Sequence, residues 1–435
     1  MARTSGAVGG ANPSSLARLS VLPNRRLPHV VTALGDSRAA AIYIDSGQRG
    51  YAATSPVNWA NALLGQRLVI GACFGKSGDR TDQMLPRLSS AIGTGAGLLY
   101  IHAGLNDIAQ NYPSAATSGA TAFANIRTMI DTARAAGMIV VVEAEVGSNA
   151  LSAAQIGQVN DLNAMLFDHA ERAPGVHVHD ARLVAMQPAY SDSAVQFRAA
   201  HAYDGTHLNG RGAAYWGESL AALLGAIVPA RPGAALNMRA ALSGNGRRQL
   251  VANPLFVTAN GGTAANGASG TIPAGFVGSA GTGASATYAT QADPDGLGNN
   301  VAIDASFTAA NAQVRLHQDV ATANLLPGDL VEGVAVVDIL GTPSGLASLY
   351  LQFTQNTGAG GQSYDNFCLY APAAANYVGV DKAMRLTLRT RPHLIRANVG
   401  SGGFAQLSVR ALSAGSGSCQ FVVRQMALKR RDSDY

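Results

Sequence analysis

Between residues 27 and 229 short apolar runs alternate with segments of helical spacing. The runs at 29–34, 67–74, 98–102, 138–144 and 176–179 are nearly continuous in Val, Ile and Leu, as strands covered on both faces are. Between them, 57–64, 81–92, 120–136, 153–172 and 212–227 carry helical periodicity. Such alternation predicts a parallel sheet with helices on both sides. With five strands, the expected unit is a flavodoxin-like three-layer α/β/α domain.

The pattern changes after Pro229. Pro232-Gly233 and Ser243-Gly244-Asn245-Gly246 mark a linker. Strands of period two are then predicted at 301–307, 313–318, 330–339, 347–354, 366–370, 384–390, 404–411 and 419–428. Ala383-Met384-Arg385-Leu386-Thr387-Leu388-Arg389 shows the alternation most clearly. These strands predict an antiparallel β-sandwich of jelly-roll type. The stretch 259–290 reads as a long Gly/Ala loop region. The expected organisation is an N-terminal arm (1–27), an α/β domain (28–230), a linker (231–250) and a β-sandwich (251–435) serving glycan binding or oligomerisation.

Composition adds limits. A chain of 435 residues exceeds what one core usually holds. It is 47% hydrophobic and 13% charged, yet no apolar run approaches the ~20 residues that cross a bilayer. Glu143, Glu145 and Glu218 interrupt the best candidates. Residues 1–28 have no apolar stretch of the secretory kind, and the location of the chain is left open. The net charge of +5 is spread out, and Lys429-Arg430-Arg431 reads as a solvated tail rather than a nucleic-acid surface. Cys73 reads as a small buried hydrophobe, while Cys368 and Cys419 are left either paired or free.

Candidate chemistry begins at Val30-Val31-Thr32-Ala33-Leu34-Gly35-Asp36-Ser37-Arg38-Ala39. A strand that stops at glycine and turns into a helix puts Ser37 at the carboxyl edge of the sheet, where open α/β sheets bind ligands. Ser37 is then either a plain helix cap or a nucleophile supplied with a base and an oxyanion site. Asp204 and His207 offer the base: three residues apart, they share one side of a helical turn, and the carboxylate can orient the imidazole. His201, lacking such a carboxylate, is the lesser rival. Gly78, after the second strand, and Asn106, after the third, can join the Ser37 N–H as oxyanion donors, each worth about 3 kcal/mol in a transition state. His177 and His179 share a strand face but read as structural, and no metal or cofactor is expected.

Taken together these blocks resemble the SGNH (GDSL-type) hydrolase family. Gly35-Asp36-Ser37 matches the first block, Gly78 the second, Gly104-Leu105-Asn106-Asp107 the third, and Asp204 with His207 the last. The resemblance implies Ser37 as nucleophile, His207 as base, Asp204 as its partner, and Ser37, Gly78 and Asn106 as the oxyanion hole. Asp36 and Asp107 are expected to support the donors. Arg38 stands where the family commonly has leucine, and is expected at the rim of the site. The C-terminal part weakly resembles the galactose-binding-like modules attached to such esterases, with Tyr288, Tyr364, Tyr370 and Tyr377 as sugar-stacking candidates. The implied activity is removal of acyl groups, acetyl first, from a carbohydrate. The alternatives are a lipase-like enzyme for longer chains and a phage-tail component carrying a glycan-deacetylating domain, a homo-oligomer in that case.

Overall fold

The computed structural model describes residues 26–45, 49–187, 196–230, 249–358, 362–371, 377–396 and 402–431. The expected arm up to residue 25 and the linker from 231 to 248 lie outside them. The first half provides β1 (Leu27–Gly35), β2 (Gly50–Ala52), β3 (Val69–Gly75), β4 (Ala96–His102), β5 (Ile139–Glu143) and β6 (Val176–His179). Five of these form an all-parallel sheet in the order β3-β1-β4-β5-β6. Its apolar residues divide between the two faces with period two. Leu34, Leu99, Ile101, Val140 and Val142 pack into one core, and Val31, Ala33, Leu98, Tyr100 and Val141 into the other. This two-sided burial explains the unbroken Val/Ile/Leu runs.

The helices are α1 (Ser37–Ala40), α2 (Pro56–Leu63), α3 (Thr81–Met84), α4 (Leu88–Gly93), α5 (Leu105–Ala109), α6 (Ser118–Ala135), α7 (Ala153–Arg172), α8 (Arg182–Ala185) and α9 (Gly210–Ile227). The single helix expected over 81–92 is broken into α3, a 3₁₀ turn at Leu85–Arg87, and α4. Pro86 lacks the N–H that would continue the ladder. The helix after Ser37 is one turn long, so it contributes backbone N–H groups rather than a long dipole.

The second half supplies β7 (Thr263–Ala265), β8 (Ala268–Gly270), β9 (Val277–Ala280), β10 (Ala284–Ala292), β11 (Asn299–Phe307), β12 (Gln313–Val320), β13 (Leu330–Leu340), β14 (Leu346–Asn356), β15 (Ser363–Tyr370), β16 (Met384–Arg389), β17 (His393–Leu394), β18 (Phe404–Ser413) and β19 (Gly417–Arg431). They form two sheets, β16-β13-β19-β11-β10-β8 with β17 on β13, and β2-β15-β14-β18-β12-β9-β7. Most pairings are antiparallel, and the facing residues fill one core, as in a β-sandwich.

Two expectations change here, and one open alternative is resolved. The stretch 259–290 is not a loop region: it contains β7 to β10, whose Ala, Gly, Ser and Thr hide the period because small residues score weakly as apolar. Lys429 and Arg430 are not in a solvated tail but pair within β19 against β13, and Arg430 meets Asp329 at 2.7 Å. Cys368 and Cys419 are both free, one in each sheet, and burial pushes both thiols up to about 12.

The two halves are joined closely. β2, which follows α1, is the edge strand of the second sandwich sheet and runs parallel to β15. Gln66 Nε2 donates to the Thr387 carbonyl at 2.7 Å, and Arg211 N to the Val378 carbonyl at 2.9 Å. One hydrophobic core runs from Trp59 and Trp216 to Leu351 and Val409.

Candidate active site

In the sheet order β3-β1-β4 the chain leaves β1 to one side and later returns to its other side. At such a switch point the carboxyl ends of the strands frame a crevice. Ser37 follows β1, Gly78 follows β3 and Asn106 follows β4, so all three loops meet there. The strand ends touch at Gly35. A Cβ at that position would lie 2.1 Å from the His102 carbonyl oxygen, a distance that only glycine avoids.

Asp36 caps α1, its Oδ1 accepting from Arg38 N at 2.9 Å. Its carboxyl is buried and is pushed up to about 7, chiefly by burial, against the pull of the Arg38 guanidinium. An unfolded aspartate titrates near ~3.9. Between these values the folded state binds the extra proton, so stability is full below about pH 4 and falls as pH rises through about 7. Asp36→Asn retains the capping oxygen and removes the titration. Its unfolding free energy should gain on the parent's as pH rises across that window, by an amount on the order of a few kcal/mol. A gap that does not vary with pH would refute this assignment.

The Gly78 loop is fastened from below. Asp107 accepts from Thr81 N at 2.9 Å and from Thr81 Oγ1 at 2.7 Å. Asn106 Nδ2 donates to the Asp79 carbonyl at 3.0 Å, and Gln110 Nε2 to the Gly78 carbonyl at 3.1 Å. Gly78 itself has φ +80°, a left-handed conformation that a side chain would strain.

His207 lies in a loop rather than a helical turn. Asp204 Oδ1 accepts from the backbone N–H groups of Thr206 (2.9 Å) and His207 (2.7 Å), closing a turn that places the two side chains together. Asp204 Oδ2 then meets His207 Nδ1 at 2.7 Å, and His207 Nε2 meets Ser37 Oγ at 2.9 Å. Partial burial raises the Asp204 carboxyl, but hydrogen bonds from His207 and Thr206 outweigh it and hold the group below its usual value. A carboxylate only accepts, so Nδ1 carries the proton and Nε2 accepts from the serine hydroxyl.

Arg38 lines the cavity, as expected of a residue at the rim, but most of it turns inward. It is buried, with its guanidinium on Glu145, on the Gly147 carbonyl and, through Nε at 3.1 Å, on the carbonyl of Thr206. It thus ties the serine turn to the loop that carries His207. Glu145 and the Arg38 contact were not anticipated; two glutamates at the end of a buried strand are costly without partners, and that cost was the available signal. The other glutamate, Glu143, accepts from Tyr100 Oη (2.8 Å), Trp216 Nε1 (3.0 Å) and His179 Nδ1 (2.7 Å), while His179 Nε2 meets Ser219 Oγ at 3.0 Å. This is a second serine–histidine–carboxylate chain. None of its members lines the cavity, and Ser219 sits inside α9, where the helix uses the nearby N–H groups. It anchors α9 to the sheet.

The first chain opens onto a cavity of about 1080 Å³. Ser37, Gly78, Asn106 and His207 line it with Tyr43, Tyr203, Tyr370 and Tyr377, and with Asp45, Arg49 and Lys76. Tyr370 and Tyr377 come from the sandwich half. Of the other stacking candidates, Tyr288 is buried in the core with its hydroxyl on the Arg315 carbonyl (2.8 Å), and Tyr364 packs under Arg396. His201 lies against Tyr215 at 5.0 Å and not on the cavity wall. Cys73, expected to be a small buried hydrophobe, is half-buried and reaches the same wall.

Residues 33–215 match the model of the GDSL-like Lipase/Acylhydrolase family. Similar solved structures include a lipase/acylhydrolase from Enterococcus faecalis, 17% identical over 47% of this chain and 99% of that one (TM-score 0.32). A family 3 carbohydrate esterase from Clostridium thermocellum is 17% identical over 46% of this chain and 98% of its own (TM-score 0.34). The acetyl xylan esterase AlAXEase is 15% identical over 45% and 99% (TM-score 0.36). No curated protein matches the chain. The similarity to a GDSL-like lipase/acylhydrolase domain thus falls on residues 33–215, the part of the chain that holds most of the five-stranded parallel sheet.

Proposed function

We propose that the chain is a serine esterase that removes short acyl groups, acetyl first, from a carbohydrate. Ser37 Oγ attacks the ester carbonyl carbon while His207 Nε2 takes its proton. Asp204 stabilises the imidazolium and keeps the ring oriented. The negative charge on the tetrahedral oxygen is met by the N–H groups of Ser37 and Gly78 and by Asn106 Nδ2. Collapse expels the sugar alkoxide, which takes the proton from His207. A water, deprotonated by the same imidazole, then cleaves the acyl-serine and returns the site to its starting state.

The observation that carries this reading is the unbroken Ser37–His207–Asp204 chain opening onto the cavity. The cavity walls favour a sugar. Four tyrosines offer flat apolar faces with polar tips, which suits rings that have C–H faces and hydroxyl edges. Among the described residues the long aliphatic side chains on the walls are Ile44, Leu105 and Leu208, which is little for an extended acyl chain.

A series of p-nitrophenyl esters tests the acyl preference. Acetate should be the best substrate, with octanoate lower by about tenfold or more in kcat/KM. Activity that is flat or rises beyond butyrate would move the assignment to a lipase-like enzyme. Release of acetate from acetylated polysaccharides tests the sugar half. Asn106→Ala should lower kcat by about 10²–10³-fold with KM within a few-fold, because its amide is used mainly in the transition state. A loss confined to KM would remove Asn106 from the oxyanion hole.

A further inference from the structure

The loop bearing His207 is half-exposed, and Asp204 bonds only one edge of the imidazole. The Ser37 hydroxyl bonds the opposite edge, and two bonds in the ring plane do not stop the ring from rocking about the line that joins them. The face of the ring is covered by Tyr203, whose ring lies 5.7 Å away and 17° from parallel. Tyr203 is covered in turn by Tyr377 of the sandwich half, at 5.1 Å and 34°. The three rings form a continuous stack from the sandwich to the imidazole.

The outer end of that stack is built into both halves. Beside Tyr377, the Val378 carbonyl accepts from Arg211 N (2.9 Å), and the Gly379 carbonyl from Arg211 Nε (3.3 Å). Asp381 pairs with Arg211 at 3.2 Å and accepts from Tyr215 Oη at 3.2 Å. Gly379 N donates to the Leu346 carbonyl at 2.7 Å, at the start of β14. Arg211 lies in the first turn of α9, four residues after His207. The segment 377–381 is therefore fixed to the sandwich on one side and to the helix following the histidine loop on the other.

We infer that Tyr377 is a positioning residue for the His207 imidazole, acting through Tyr203, and that the β-sandwich is a working part of the esterase site. The inference rests on the proposed role of His207 as base. A ring held in one plane keeps Nε2 aligned with the Ser37 hydroxyl. Misplacing a catalytic group by about 1 Å through a remote change costs up to about 10²-fold in rate.

The test uses the full-length chain with Tyr377→Ala, Tyr377→Leu and Tyr377→Phe, assayed on p-nitrophenyl acetate and on an acetylated polysaccharide. Tyr377→Ala and Tyr377→Leu should lower kcat by about tenfold or more, by the same factor on both substrates, with KM for p-nitrophenyl acetate little changed. Tyr377→Phe retains the flat ring and should stay within about twofold of the parent. Leucine fills the space that alanine empties, so a folded Tyr377→Leu serves if Tyr377→Ala does not fold. A loss seen only as raised KM on the polysaccharide would make Tyr377 a sugar contact and overturn the inference. So would full activity in the leucine variant, or a phenylalanine variant as impaired as the leucine one. The parent reading is checked separately, because it fails only if Ser37→Ala or His207→Ala retains activity.

Discussion

Ser37→Ala is expected to lower kcat/KM for p-nitrophenyl acetate by about 10⁴-fold or more, leaving the small residual rate that binding and oxyanion donors supply without a nucleophile. The hydroxyl is the atom that would become covalently bonded to the acyl group, and among the described residues it is the one hydroxyl bonded to His207 Nε2. Its recorded partner is His207 Nε2 at 2.9 Å, so removing it breaks one exposed-side hydrogen bond. Stability should therefore change by about 1 kcal/mol or less, and the variant should melt with the parent. An acyl-enzyme burst seen in the parent should be absent. Ser219→Ala is the matched control, because Ser219 belongs to the closed chain with His179 and Glu143. It should retain full activity. A fully active Ser37→Ala would end the serine-esterase reading, and an inactive but folded Ser219→Ala would show that the wrong chain had been chosen.

The contrast between the two serine–histidine–carboxylate chains also shows what the sequence can and cannot tell. The blocks at Gly35-Asp36-Ser37, Gly104-Leu105-Asn106-Asp107 and Asp204–His207 are short and local, and each follows or precedes a strongly patterned element. Strand ends in a doubly wound sheet converge by topology, so local signals suffice to bring these residues to one edge. Glu143 and His179 come together through register between β5 and β6, which no local pattern encodes. The same applies to β2, three residues that become a strand only by pairing with β15 across more than three hundred positions. Spacing also misleads about means: Asp204 and His207 meet as expected, but through an Asx-type turn instead of a helix. Arg38 shows what a local pattern leaves out. Its place next to Ser37 puts it at the rim of the site, but only the buried Glu145 explains why its guanidinium turns inward.

That inward turn should dominate the stability of the α/β half. Arg38 and Glu145 have side chains 3% and 0% exposed, and they bond directly. Removing one member of such a pair leaves an uncompensated charge out of water, which costs about 3–5 kcal/mol. Arg38→Met should therefore lower the urea midpoint sharply. Glu145→Gln should do so less, because the amide oxygen and the Gly147 and Thr206 carbonyls still accept from the guanidinium that has lost its counter-ion. The double variant Arg38→Met/Glu145→Gln should recover part of the Arg38→Met loss, since the two effects share one cause. Activity should fall alongside, because Arg38 Nε also holds the Thr206 carbonyl, one residue before His207. The order of effects is diagnostic. If Arg38→Met costs under about 1 kcal/mol, water reaches the pair and the guanidinium is no strut. If Arg38→Met is destabilised yet turns over p-nitrophenyl acetate at the parent's kcat under folded conditions, Arg38 supports the sheet edge without placing the histidine loop. A joint loss of stability and kcat, partly relieved by Glu145→Gln in stability alone, is the result that a buried cation linking two loops requires.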